Sequence, residues 1–314
     1  LFYDSIKIFF FFYFLLIFFW IDAHPNIFIL PFNFLLETFS SNYFTGWPYN
    51  LVNGKYYLSN DVNKFYFLIN FIYKTPEYIL ISYFLFLFLF FNSNNFFNKK
   101  FSDFNYKLIF LLSILIFPNL IIFFIPYPIY DGMRLFLWVI PYFCIIPGLV
   151  IYWLLKNINF IHSKISLGVL VVAFFFFFFK FVDITPYQYT YLNSLNGKSI
   201  FKYKKFEGDY WASSLNELID NSIFEKNKTL LFSTCGVDFG ISKKFLKESG
   251  YFNVKFVSHD EAEYIIMTNR VVLDWYKDTN NFKLINCFDK FKGNDISKVE
   301  RNGMLLSVIR KPIN

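Results

Sequence analysis

Metal-ligating side chains are scarce in this sequence, which holds three Cys and three His and neither a Cys-x-x-Cys nor a His-x-x-x-His pair. That scarcity excludes the common spacings of a zinc site. The glycine-rich spacings G-x-G-x-x-G and G-x-x-x-x-G-K-[ST] are also missing, so Gly236 and Gly240 read as a strand-to-helix turn rather than a nucleotide cradle. No cofactor is expected from these motifs. Charge is low as well: 17% of residues are Asp, Glu, Lys or Arg, against about 25% in a soluble protein. The net charge of +7 is dispersed without a dense basic stripe, and nucleic acid is not an expected partner.

Apolar residues make up 56% of the chain, and Phe alone occurs 50 times. Residues 1–182 hold eleven Lys/Arg and seven Asp/Glu, whereas residues 183–314 hold nineteen and sixteen. The first part therefore suits lipid and the second suits water. A spanning helix needs about 20 apolar residues. Five candidates fit or approach that length: 6–21, 78–91, 108–125, 135–155 and 165–182. The expected fold is a mainly α transmembrane helical bundle of about five spans over residues 1–182, with an outer loop at 22–77. A small extracytoplasmic α/β domain follows at 183–314.

Orientation follows from the excess of Lys and Arg on cytoplasmic loops. With alternating spans, Lys7, Lys99, Lys100, Lys107, Lys156 and Lys164 share one side. The loop 22–77, the short loop 126–134 and the C-terminal domain fall on the other. Within the long loop, Gly46-Trp47-Pro48-Tyr49 and Val52-Asn53-Gly54-Lys55 read as turns. Trp47, Tyr49, Tyr56 and Tyr57 suit a belt at headgroup level. Stretch 27–39 suits a helix lying in the interface. In the C-terminal domain, 210–223 and 241–249 read as helices, and 229–234, 254–257, 264–268, 284–288 and 304–309 as strands. Cys235 and Cys287 both fall in that domain, where a disulfide can persist, but two cysteines leave the pairing open.

The sharpest local constellation is Tyr127-Pro-Ile-Tyr130-Asp131-Gly132-Met133-Arg134, just before the fourth span on the outer side. Arg134 is ionisable, lies at the membrane boundary and precedes a helix N-terminus. Those features favour an anion, and a guanidinium holds phosphate through two hydrogen bonds. Two readings stand beside each other: Arg134 binds a lipid-linked phosphate with Asp131 orienting it, or Asp131 merely caps the helix and pairs with Arg134. His24, beside Pro25 at the outer end of the first span, reads first as an interfacial residue and second as a site candidate. Lys64 and Lys180 are weaker candidates for the phosphate contact, and snorkelling is the commoner explanation of both.

Several segments, taken in order, resemble membrane glycosyltransferases of the family-39 type, the multi-spanning enzymes that include protein mannosyltransferases and aminoarabinose transferases. The stretches are Asn26-Ile-Phe-Ile-Leu-Pro-Phe-Asn with Glu37, Gly54-Lys-Tyr-Tyr-Leu-Ser-Asn60 running on to Lys74-Thr-Pro76, and Tyr130-Asp-Gly-Met-Arg-Leu-Phe-Leu-Trp-Val-Ile-Pro141. After the last span come Pro186-Tyr-Gln-Tyr-Thr-Tyr-Leu-Asn193 and Phe206-Glu-Gly-Asp-Tyr-Trp211.

The resemblance implies transfer of a hexose or pentose from a polyprenyl-phosphate donor to a glycan, lipid or protein acceptor at the outer face of an inner membrane. Arg134, Asp131, Tyr130, Lys64 and His24 would hold the donor phosphate. Leu135 stands where similar sequences often carry His. The family's catalytic carboxylates lie in an early outer loop that nothing here matches. The chain opens at Leu1 with an apolar segment almost at once, so an N-terminal portion carrying those carboxylates is expected upstream. The competing readings are a transporter, which would place ionisable residues deep in the spans, and a non-catalytic scaffold.

Overall fold

The structure, a computed structural model, describes residues 2–19, 46–124, 128–225, 228–275 and 282–313. It opens with helix α1 (Phe2–Phe19), then a hairpin of β1 (Tyr49–Val52) and β2 (Lys55–Leu58), and helix α2 (Tyr66–Lys74). The long helices α3 (Glu77–Lys100), α4 (Phe104–Phe124), α5 (Ile140–Lys156) and α6 (Ile161–Asp183) follow. A 3-10 segment, Arg134–Val139, leads into α5. Among the described residues four helices are long and apolar enough to cross a membrane: α3, α4, the continuous Arg134–Lys156 and α6. Of the five spans expected, these four are described; the first, 6–21, extends past the described part of α1, whose apolar stretch is Ile6–Leu15. The four helices leave most of their apolar stretches unburied; in α6, only 6% of the most apolar stretch is buried.

The chain punctuates these elements with local chemistry. Asn53 and Gly54 both take positive φ, 48° and 82°, closing the hairpin as the Asn-Gly pair predicts. Helix α2 stops at Thr75 because the residue before Pro76 is disfavoured in helical geometry; Thr75 is extended, with φ −81° and ψ 139°. Its terminal carbonyls are not left orphaned. Asn193 Nδ2 donates to the carbonyls of Ile72 (2.6 Å) and Thr75 (2.9 Å), and Asn196 Nδ2 donates to that of Tyr73 (2.9 Å). On its apolar face, Phe71 stacks on Phe143 of α5 at 4.3 Å between centroids, and Phe67 meets Phe136 at 5.0 Å. Helix α2 is thus bolted at one end by asparagines and along one face by rings.

The remaining chain forms α7 (Leu215–Asp220), β3 (Leu230–Cys235), α8 (Phe239–Glu248), β4 (Val254–Phe256), β5 (Tyr264–Thr268), β6 (Val271–Trp275), β7 (Phe282–Asn286), α9 (Cys287–Lys290), β8 (Gly293–Arg301) and β9 (Met304–Pro312). One sheet has the order β4-β3-β5-β9-β8, and β6–β7 form a separate two-stranded ribbon. Strand β3 runs parallel to β4 and β5, whereas β9 is antiparallel to β5 and β8. Phe232, Leu246, Ile266, Leu306 and Ile309 are wholly buried beneath it.

Three sequence readings change here. The helix expected over 210–223 shrinks to α7, because Asp209 accepts hydrogen bonds from the amides of Ser213 (2.8 Å) and Ser214 (2.9 Å), and Ala212 takes φ +53°. The strand expected over 284–288 ends at Asn286, whose side chain caps α9 by accepting from the Phe288 amide at 3.0 Å. Strands β6 and β8 went unread, β8 being largely exposed and polar.

Candidate phosphate site at the helix boundary

Asp131 and Gly132 form a turn in which both residues take positive φ, 58° and 67°. The hairpin fixes that turn from one side: Asn50 Nδ2 donates to the Ile129 carbonyl at 2.7 Å, and the Ile129 amide donates to the Ser59 carbonyl at 2.8 Å. The hydroxyl of buried Tyr66 accepts from the Gly132 amide at 2.9 Å. So held, the Asp131 carboxylate meets two guanidinium groups. Arg134 lies 3.3 Å from one oxygen and Arg270, from the turn between β5 and β6, 2.7 Å from the other. The pairing of Asp131 with Arg134 is the one expected. Asp131 does not cap the helix, whose N-cap is Met133 without a side-chain bond.

The two arginines differ in exposure. The Arg270 side chain is 8% exposed; its guanidinium carbon lies 4.7 Å from the Trp47 ring centroid and 5.7 Å from that of Tyr210. Arg134 is 45% exposed and sits 5.5 Å from the Trp211 ring. Trp47 therefore lies against a cation, and its indole N–H donates to the Val271 carbonyl at 3.0 Å.

Glu207 lies near Arg270 (3.8 Å) and accepts from the Val271 amide at 3.0 Å. Burial pushes its carboxyl up to about 7, opposed by Arg270. Lys74, the last residue of α2, points its ammonium towards Gly132. A Cβ at Gly132 would stand 2.3 Å from Lys74 Nζ, so a side chain there would push that flexible ammonium aside. Lys74 makes no hydrogen bond or ion pair with the described residues, and burial pulls its ammonium down to about 8 despite Glu207 and Asp131 nearby. Three cations therefore face two carboxylates, one of them readily protonated.

Lys74 and Arg134 both line a cavity of about 480 Å³. Its walls are largely apolar and include Ile79 of α3, Leu137, Phe143 of α5 and Phe177 of α6, with Tyr189, Tyr210 and Trp211 at the polar end. Asp209, wholly buried, holds that end by accepting from the Tyr189 hydroxyl and from Ser214. No carboxylate lines the cavity among the described residues.

The other expected site residues are placed as follows. Tyr130 precedes the turn, half-buried, and does not line the cavity. Lys64 donates to the Ile122 carbonyl at the end of α4 at 3.4 Å and is likewise absent from the cavity wall. Lys180 pairs with Glu77 at 3.4 Å, donates to Ser194 at 2.5 Å and lies 4.0 Å from the Phe176 ring centroid. His24, the stretch 27–39, and Tyr127 lie outside the described residues. Sequence reading missed Lys74, Glu207 and Arg270 as site residues. Lys74 and Glu207 did stand within the stretches that carry the family resemblance, which was the available signal; Arg270 had none. Cys235 and Cys287, left open from sequence, form a disulfide. Compared with known proteins, the chain matches no family model, no curated protein and no solved structure.

Proposed function

We propose that the cavity binds a polyprenyl-phosphate-linked sugar and that the chain is part of a membrane glycosyltransferase working at the outer face of an inner membrane. The single observation that carries this reading is the presence of the Lys74 ammonium, which makes no hydrogen bond or ion pair among the described residues, and a half-exposed guanidinium, Arg134, at the polar end of a cavity otherwise walled by long apolar helices. Such a cavity complements an amphiphile with an anionic head and an apolar tail.

In the proposed reaction an acceptor hydroxyl attacks the anomeric carbon, and the bond from that carbon to the phosphate oxygen breaks. The polyprenyl phosphate leaves with its negative charge facing Arg134 and Lys74, which stabilise it. The acceptor proton goes to a carboxylate base. That base comes from outside the described cavity wall, which has none.

A second reading is favoured by that same lack of a carboxylate: a protein that binds a lipid phosphate without transferring its sugar. Membranes containing the full-length protein, supplied with radiolabelled polyprenyl-phosphate sugars, separate the two. Label passing to an acceptor, and lost in Arg134→Ala and Lys74→Ala, supports transfer. Retained binding without transfer supports the binder, and normal transfer by both variants removes the phosphate site.

A further inference from the structure

Two chain segments touch the turn that carries Arg270. A Cβ built at Gly236 would lie 2.6 Å from Arg270 Cβ, and the Gly236 carbonyl accepts from Thr268 Oγ1 at 2.8 Å. The Cys287 amide donates to the Arg270 carbonyl at 2.9 Å. Cys235 immediately precedes Gly236 and is disulfide-bonded to Cys287. The bond therefore ties together the two segments that flank Arg270.

We propose that the Cys235–Cys287 disulfide is a positioning device for Arg270, holding its guanidinium between Asp131, Glu207, Trp47 and Tyr210 and thereby aligning Asp131 towards Arg134. Strand pairing sets Cys235 opposite Met267 and Asn286 opposite Val271. Among the described residues, though, no ladder joins ribbon β6–β7 to the five-stranded sheet, so the disulfide is the covalent cross-link between the two. Arg270 Nε has no hydrogen-bond partner, so its grip rests on the 2.7 Å contact with Asp131 and on the two rings. A small displacement of the turn breaks that contact and leaves a buried ion pair separated. The inference does not depend on which anion fills the cavity.

Lys74 reports on the cluster without any ligand. Its ammonium faces Asp131 and Glu207, both also facing Arg270, and lies 5.4 Å from the Phe206 ring centroid. Withdrawing Arg270 takes one competing cation from Asp131, which Arg134 still holds, and from Glu207, so more of their pull falls on Lys74 and the pH at which it titrates rises. The experiment follows the pH dependence of amine modification at Lys74 in the full-length protein, by mass spectrometry of its peptide. Cys235→Ser with Cys287→Ser is expected to raise the midpoint by about one pH unit, as is Arg270→Met. Combining all three should add nothing further. Leu246→Ala, which opens the buried core of the same region, should lower the unfolding temperature and leave the midpoint in place. An unchanged midpoint in the disulfide-free protein overturns the proposal. So does an equal rise in Leu246→Ala, or no rise in Arg270→Met. No lipid enters this measurement, so its failure and that of the cavity reading are told apart.

Discussion

The long helices and the sheet region differ in how much of their apolar surface they bury. Helices α3 to α6 turn Phe84, Phe91, Phe110 and Phe179 outward, each at least 65% exposed, whereas the sheet region turns Phe232 wholly inward. Polar side chains differ in the same way. In the helices Ser82, Asn92 and Ser113 donate to the carbonyl four residues earlier, the local solution available where no water reaches. Beyond them, polar groups reach far along the chain: Arg270 to Asp131, Asn193 to Ile72, Arg301 to Glu217. The two regions meet where long-range charge pairing abuts an apolar cavity, and that junction is where we propose a lipid phosphate binds.

The largest effect on this comparison is expected from breaking the junction itself. Asp131→Asn suits the positive φ but leaves Arg270 buried without its carboxylate. It should cost about 3–5 kcal/mol, read as a lowered thermal midpoint in detergent. Removing the disulfide, which closes a separation of 52 residues, should cost about 2–4 kcal/mol, measured by denaturant unfolding of the full-length chain. Gly132→Ala forces a methyl to 2.3 Å from Lys74 Nζ at φ +67°; it should cost about 1–3 kcal/mol and weaken phosphate binding more than Lys64→Ala does. The smallest effect falls on the pair of Lys180 and Glu77, both partly exposed: Lys180→Met should change stability by no more than about 1 kcal/mol.

A pH profile sharpens the comparison without mutation. The folded-state value of Lys74 is lowered to about 8 from 10.5. Above about 8 the unfolded chain binds more protons than the folded one, so this group makes stability rise with pH between those values. Affinity for a phosphate headgroup should fall over the same interval, as the ammonium is lost. Glu207 is raised to about 7 from 4.5, so the folded state binds the extra proton and its contribution lowers stability as pH rises through that window. Titration of lipid-phosphate binding from pH 6 to 9.5 checks the Lys74 sign directly.

The apolar runs and the loop cations made four long helices readable, because length and hydropathy are additive along the chain. The Asn53-Gly54 turn was readable for an equally local reason. Arg134 and Asp131 stood out as charges beside a span, and their pairing at i, i+3 needed only local spacing. Arg270 lies 139 residues from Asp131, and nothing in a single sequence encodes that approach. Trp47, read as a headgroup-level residue, also packs against Arg270 and donates to the Val271 carbonyl, partners that no local pattern encodes. Strand β8 escaped for a different reason: its edge position leaves most of its side chains in solvent, so the alternation that marks a strand is faint.

The most direct test of the central claim is binding of radiolabelled polyprenyl monophosphate to the full-length protein in phosphatidylcholine nanodiscs. The account predicts saturable binding at pH 7, weakened about tenfold or more by Lys74→Ala and by Arg134→Ala, with Lys64→Ala close to unaltered. Binding that is absent in the unmutated protein, or indifferent to both Lys74 and Arg134, would contradict it.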